Sequence, residues 1–457
     1  MTYLDSNKIA YVLFHLMQHL EIDTELRSRF CFINNGEVSG DEKNKIIFPL
    51  SDKNLCKKDI ITINNIPVLF PLSDARGFYH FNGNTLIFNH DILKSAFYLL
   101  SGYQEHKSTD LDRFNRYKYD ASIQKELGII TKPIVNYYFE ILIEGIMLFC
   151  EKNTISCKRK KSSFSFVLSH DVDNIDYYTV NNVLYKVKEI VGAAPSAFRI
   201  TVRIKQFFKG VFELLKFSKK NNPTWNFDYL RKVEKRNGFK STFYFLDKDL
   251  KHQDSYYDLQ EPRMVKLMND LHNDGCEIGL HGTCRSSVEY RFMKLICDKI
   301  NAVIPEKVVG IRQHRLMYKN PQTLLIHQKT GLKYDSSLLF AEHEGFRNSY
   351  CHPFRIYNFT EDKMSDVWEI PLNIMDGTLF GYRKLSFAEA KKSVKQILRE
   401  VKKFDGVFSL LWHNDFFDEE RYPKIKMFYE EILSEIKKSG SKSKTGKEIV
   451  IEIEKNA

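Results

Sequence analysis

No run in this chain approaches 18 consecutive apolar residues, so no membrane-spanning helix is expected. The eight cysteines (31, 56, 150, 157, 276, 284, 297 and 351) contain no Cys-x-x-Cys and no paired spacing. That favours free thiols in a reducing compartment over a disulfide framework. The first residues, Met1 to Asp23, are interrupted by His15, Gln18, His19 and Glu21 and lack a basic segment followed by an apolar core. A signal peptide is therefore not expected, and a cytoplasmic location is. There is no arginine-rich helix, zinc-finger spacing or RNA-binding signature, which argues against a nucleic-acid partner.

What is present is bulk and charge. At 457 residues the chain exceeds one typical core, and two or three domains are expected. A hydrophobic content of 43% and a charged content of 28% suit a globular protein. Lysine and arginine total 69 against 58 acidic residues, a formal net charge of +11. That balance permits an anionic partner such as a phosphorylated lipid, a nucleotide-linked sugar or a membrane surface. Much of the excess lies in Lys158-Arg159-Lys160-Lys161 and beyond Lys437, where it reads as solvated charge.

Three parts are discernible. Residues 1–150 open with Ile9, Val12, Leu13, Leu16 and Leu20 at helical spacing, continue with short strand-like pieces, and close on a helical stretch from Ile134 to Cys150. Residues 151–162 form a polar, basic linker. From residue 163 to 435 apolar strands alternate with helical patterns. The strands are predicted at Phe164–Ser169, Ser241–Leu246, Glu277–Leu280, Val308–Arg312, Trp368–Leu372 and Val407–Trp412. Repeated strand–helix units predict an α/β fold with a largely parallel sheet, open or barrel-like, whose active site collects at the C-terminal strand ends. Residues 185–220 are an insertion rich in Lys and Phe, read as a basic amphipathic helix that packs on its own domain or makes peripheral membrane contact. Residues 436–457 read as a flexible Lys/Ser-rich tail, with Glu448–Ile453 as an edge strand.

The chemistry-bearing residues follow the strands. Ser169-His170-Asp171-Val172-Asp173 extends the first apolar run. Side chains alternate along a strand, so Asp171 and Asp173 share a face, about 7 Å apart along the chain. Two carboxylates so placed repel unless a metal ion or a shared proton compensates. His281, His314 and His413 come after three further strands, at the same level of a βα fold. Asp376 and Asp415 are further carboxylates able to face such a site.

In order, Asp171-Val172-Asp173, Ser241-Thr242-Phe243-Tyr244, Glu277-Ile278-Gly279-Leu280-His281, Gly310-Ile311-Arg312 and Leu410-Leu411-Trp412-His413 resemble the polysaccharide deacetylases of the NodB-homology type, carbohydrate esterase family 4. Arg312-Gln313-His314 and the stretch Tyr334 to Arg355 are similar to a subgroup associated with surface-polysaccharide biosynthesis, and residues 1–150 look like its companion N-terminal domain. The resemblance implies a distorted (β/α) barrel preceded by a smaller α/β domain. It implies metal-dependent hydrolysis of an N-acetyl group on a sugar in a glycan precursor. It assigns Asp171 as catalytic base, Asp173 and His281 as metal ligands, His413 as general acid and Arg312 as the charge partner of Asp171. Asp335 and Trp368 fall where the family builds the substrate wall.

One position departs from the family. Four residues after His281, where a second histidine ligand is usual, stands Arg285, which never loses its proton. A third ligand must come from elsewhere: His314 by strand parity, His343 from the Glu342-His343-Glu344 loop, or His170. His343 is also a candidate for substrate contact. The metal is expected to be zinc, with cobalt, nickel or iron also compatible with one carboxylate and two histidines. Two other readings stay open: a non-catalytic glycan-binding or scaffold protein with a degenerate site, and an amidohydrolase acting on a small non-sugar amide. The oligomeric state is not legible.

Overall fold

The computed structural model describes residues 3–34, 43–194, 199–215, 222–249, 254–419 and 422–456. The strand–helix alternation builds a sheet of ten strands: β1 (Ser165–Val172), β2 (Ser241–Leu246), β3 (Glu277–Gly282), β4 (Gly310–Gln313), β5 (Tyr334–Asp335), β6 (Phe354–Asn358), β7 (Lys363–Glu369), β8 (Ile374–Met375), β9 (Val407–Leu411) and β10 (Lys442–Ser443). Their spatial order is β6-β7-β5-β4-β3-β2-β1-β9-β8, with β10 beside the first residues of β1. Only the β6–β7 pair is antiparallel. The path ends at β6 and β8, so the sheet curls as an open, distorted barrel.

Every residue of β1, β2, β3, β4 and β9 is buried, as expected for parallel strands covered on both faces. The helices Phe227–Asn237, Pro262–Asn273, Tyr290–Asn301, Phe387–Lys403 and Ile425–Lys438 supply the cover. Their apolar stripes, among them Leu230, Met268, Ile296, Ile397 and Ile432, share one core with Phe166, Leu168, Phe243 and Leu410 of the sheet. Local chemistry sets the helix ends. Gly238 and Gly331 terminate two helices in the left-handed conformation, with φ of 75° and 84°. Ser386 and Glu389 form a reciprocal capping box at the start of a third.

The N-terminal unit has its own four-stranded sheet, with Phe30–Asn34, Ile46–Leu50, Thr85–Phe88 and Tyr79–Asn82 in that spatial order. Two helices, Ile92–Leu100 and Ile134–Lys152, pack on it. Its core is continuous with Tyr318, Leu338, Tyr350, Phe354 and Val367 of the larger sheet's surroundings. The buried Arg347 guanidinium reaches Glu105 at 2.6 Å across the junction.

Three expectations change. The strand predicted at Trp368–Leu372 lies earlier, at Lys363–Glu369, because it pairs with Phe354–Asn358 rather than entering from a preceding helix. Residues 436–457 are not a free tail. The helix runs to Lys438, Lys442–Ser443 pairs with β1, and Gly446–Asn456 is a helix, not an edge strand. Its Ile449 and Val450 are buried beside Val167, Tyr334 and Trp368, and that burial holds it down. The Lys- and Phe-rich insertion contains two helices, Val180–Ile190 and Ile200–Leu215.

Candidate functional site

β1 carries Asp171 into the mouth of the barrel, and Asp173 follows one residue beyond the strand's end. His170 points to the opposite face, with Nδ1 2.7 Å from the Trp412 carbonyl and Nε2 2.8 Å from Glu234. Asp171 Oδ1 accepts a 2.9 Å hydrogen bond from Arg312 Nη1. The Arg312 side chain is fully buried and cannot swing. It also donates to Ser169 Oγ, the Ser336 carbonyl and Ser336 Oγ, and its guanidinium lies 4.5 Å over the Tyr244 ring. That leaves Asp171 Oδ2 facing the cleft, 3.6 Å from His281 Nε2 and 4.0 Å from His413 Nε2.

His281 sits near the end of β3, in register with Arg312 of β4. Its Nδ1 lies 2.8 Å from the Arg312 carbonyl, which places a proton on Nδ1 and turns Nε2 toward Asp173. His314 follows β4 where Arg315 and Leu316 take left-handed φ of 57° and 55°. Two such non-glycine residues in succession are strained and re-aim the chain into the cleft. Its Nδ1 is bound by the Asp254 carboxylate, which also accepts from the Cys284 amide at 3.0 Å. His314 Nε2 is thereby presented 3.7 Å from Asp173 Oδ2.

One ligand atom from each of Asp173, His281 and His314 lies within 4.8 Å of the other two. Among the described residues His281 Nε2 and Asp173 Oδ1 are buried without a hydrogen-bond partner, although they face each other at 3.2 Å. Buried polar atoms left unpaired cost about 1–3 kcal/mol each, and a cation between them satisfies both. The donor set, one carboxylate and two imidazoles with their other nitrogens anchored, fits zinc and its divalent neighbours. Asp254, Cys284 and His314 also converge. Burial first, then Asp254, pushes the Cys284 thiol up to about 12, and a protonated thiol is a poor ligand. Burial raises the Asp173 carboxyl, but His314, His281 and His413 around it outweigh that and hold it well below the usual carboxylate range.

His413, just past β9, is fixed by Asp376 twice: its backbone N–H donates to Oδ2 at 2.7 Å, and Nδ1 lies 2.6 Å from Oδ1. Burial lowers the basicity of its ring, yet Asp376 above all, with Asp173 and Asp171, raises it well above the ordinary histidine range. Asp415 lies nearby, its carboxyl raised by burial and by Asp173, and accepts from Asn174 at 2.9 Å.

The cleft over these groups holds about 600 Å³. Asp171, Asp173, His314 and His413 form its floor, and Arg113, Phe114 and Arg116 of the N-terminal unit form one wall. The guanidinium groups of Arg113, Arg116 and Arg315 surround the Phe114 ring at 4.7, 5.1 and 5.1 Å. Arg116 is braced by Asp112, the Arg315 carbonyl and Tyr382.

Four residues singled out in the sequence lie elsewhere. Arg285 turns to the surface, paired with Glu289 at 3.1 Å and set over Phe292. Asp335 is fully buried behind the cleft, accepting from the Ser337 amide at 2.7 Å and lying 3.4 Å from His327. Trp368 packs at the opposite end of the sheet, by the first residues of β1 and β9, with Arg355 over its ring. His343 is held by the Glu344 carbonyl at 2.7 Å and lies against Tyr119. Asp254 and the Arg113–Arg116 wall went unread in the sequence. They belong to loops without a pattern and meet the site only through long-range packing.

Residues 2–149 match the model of a family of unknown function, DUF7033. No curated protein matches the chain. Among solved structures, a polysaccharide deacetylase-type protein from Mycobacterium smegmatis is similar at 16% identity and a TM-score of 0.42, covering 65% of this chain and 92% of its own. A family 4 carbohydrate esterase from Streptomyces lividans, in complex with acetate, is similar at 10% identity and a TM-score of 0.28, over 61% and 88% of the two chains. A pseudoenzyme of the same esterase family from Bacillus anthracis is similar at 9% identity and a TM-score of 0.33, over 63% and 66%. The chemistry open to this chain rests on its own distances: Asp173, His281 and His314 converge between the carboxylate of Asp171, held by Arg312, and His413, held by Asp376.

Proposed function

We propose that the protein is a metal-dependent hydrolase that removes an N-acetyl group from a sugar in a surface-polysaccharide precursor. The observation that carries this reading is the pair of orphaned buried atoms, Asp173 Oδ1 and His281 Nε2, beside a His314 pre-aimed by Asp254. A divalent ion bound there supplies a Lewis acid for the acetyl carbonyl and lowers the pKa of a water. Asp171, oriented by Arg312, takes the proton of the attacking water through Oδ2. His413 stands on the other side of Asp173 and gives its Nε2 proton to the departing amine. The three guanidinium groups around Phe114 favour a substrate that carries negative charge, such as a phosphate-linked sugar.

Purified protein loaded with zinc is expected to release acetate from an N-acetylated nucleotide- or lipid-linked sugar. Chelation should abolish release, and zinc, cobalt, nickel or iron should restore it. Protein that holds no metal when purified without chelator, yet binds the glycan, would overturn the reading in favour of a glycan-binding role.

The acid has its own signature. The carboxylates around His413 keep it protonated through neutral pH, so turnover should fall only as pH rises through its elevated pKa, above the ordinary value near 6.5. Asp376→Asn removes the nearest of those carboxylates. The alkaline limb of kcat should then move to lower pH while metal content stays full. An unmoved limb would show that His413 is not the group being titrated.

A further inference from the structure

The helical hairpin after β1 is built inside out. Val180, Leu184, Val187 and Val191 recur at helical spacing on Val180–Ile190, and all four are exposed, Val191 to 69%. On Ile200–Leu215 the same is true of Ile200, Ile204, Phe208 and Phe212, with Phe208 exposed to 66%. Half of the large apolar side chains exposed among the described residues belong to these two helices, and Val191 at the end of the first adds one more. The inner faces set polar and small groups beside Val183. Glu189 and Gln206 are buried, Lys186 reaches Glu189 at 2.9 Å, and Arg203 donates to the Glu189 carbonyl. Gly210 lies so close to the other helix that a Cβ there would meet Val183 at 3.0 Å. An amphipathic helix normally turns its apolar stripe to the core. Two that turn it outward together leave a patch of the kind that marks an interaction surface.

We infer that this hairpin is an interfacial membrane-docking element for an anionic bilayer surface. Charge decides the occupant. The described residues 180–215 carry six basic side chains against two acidic ones. Lys188, Arg199 and Lys205 are exposed and without an ion-pair partner among the described residues. Apolar side chains collared by lysine and arginine suit the boundary between headgroups and acyl chains. A symmetric contact between two copies would instead set like charge against like. At 11 and 16 residues the helices are too short to span a bilayer, so they lie on it. The hairpin leaves the sheet directly after Asp173 and shares a cavity wall with Asp415 and Phe416 beyond β9. Docking therefore sets the catalytic end of the barrel toward the lipid surface. If the proposed deacetylation holds, a lipid-linked glycan is the substrate so presented.

The test is co-sedimentation of the full chain with vesicles of equal parts phosphatidylglycerol and phosphatidylcholine, against phosphatidylcholine alone. The chain is expected to partition at least about tenfold more strongly onto the anionic vesicles. Leu184→Ser with Phe208→Ser should cut that partition by about tenfold or more. Circular dichroism and acetate release from a soluble substrate should be unchanged. Binding that ignores the paired substitutions, or no binding to either vesicle, would sink the proposal. So would a wild-type dimer on size exclusion that the same substitutions convert to monomer. The vesicle, circular dichroism and size-exclusion readouts do not depend on the deacetylase reading, so the two can fail separately.

Discussion

His314→Ala protein is expected to leave purification with almost no bound metal, whereas the wild type retains about one ion per chain. His281→Ala should behave the same way. The histidine usual four residues after His281 is replaced by Arg285, whose side chain lies at the surface against Glu289 and Phe292. Among the described residues only Asp173, His281 and His314 converge around Asp173, so if they hold the ion, losing one leaves two. The cost should exceed the ~10- to 100-fold in affinity that loss of an outer-shell partner brings. Asp254→Asn, which loosens His314 without removing it, should fall within that smaller range. Arg285→Ala and His343→Ala should keep full metal. Elemental analysis of the five proteins separates these outcomes, and full occupancy in His314→Ala would refute the ligand set.

His413→Ala should do the reverse: keep its metal and lose turnover by about 10²- to 10⁴-fold, the usual worth of a positioned general acid. Its Nε2 stands 3.9 Å from Asp173 and 4.0 Å from Asp171, near the floor of the cleft but outside the three-ligand cluster. Asp171→Asn should cost a comparable factor, because Arg312 would still hold the side chain but its basic oxygen would be gone. KM should move little in either variant. Parallel measurement of kcat and metal content is decisive: a His413→Ala protein with wild-type turnover would leave the leaving group to be protonated by another residue.

Much of the framework was legible because it is local. The strand Ser241–Leu246 has the ends that its apolar run suggests, and the helices between strands stop near glycines that the structure finds in left-handed caps. The strand at Lys363–Glu369 escaped because polar residues fill its first half, which pairs only with the antiparallel strand just before it in the chain; the buried parallel neighbour Tyr334–Asp335 meets only its last two residues. The C-terminal segment read as mobile because Lys and Ser dominate its start. Burial of Ile449 and Val450, visible only in the packed molecule, orders it. Asp335 and Trp368 occupy positions that the family resemblance assigns to the substrate wall, yet one is buried behind the cleft and the other lies at the far end of the sheet.

By itself the sequence determined the alternation of strands and helices and the same-face pair Asp171 and Asp173. It also placed histidines at or just beyond three strand ends, because hydrophobic period and strand parity act over a few residues. The tertiary structure alone decided that His314 comes beside Asp173 and His281 while His343 and His170 do not. It alone brought Asp254 and Asp376 behind two of the histidines and set Arg113 and Arg116 over the cleft. It also turned the hairpin's apolar stripes outward. Those contacts join residues tens to hundreds of positions apart, and which of them form depends on how whole elements pack, for which no local pattern in the chain is a signal.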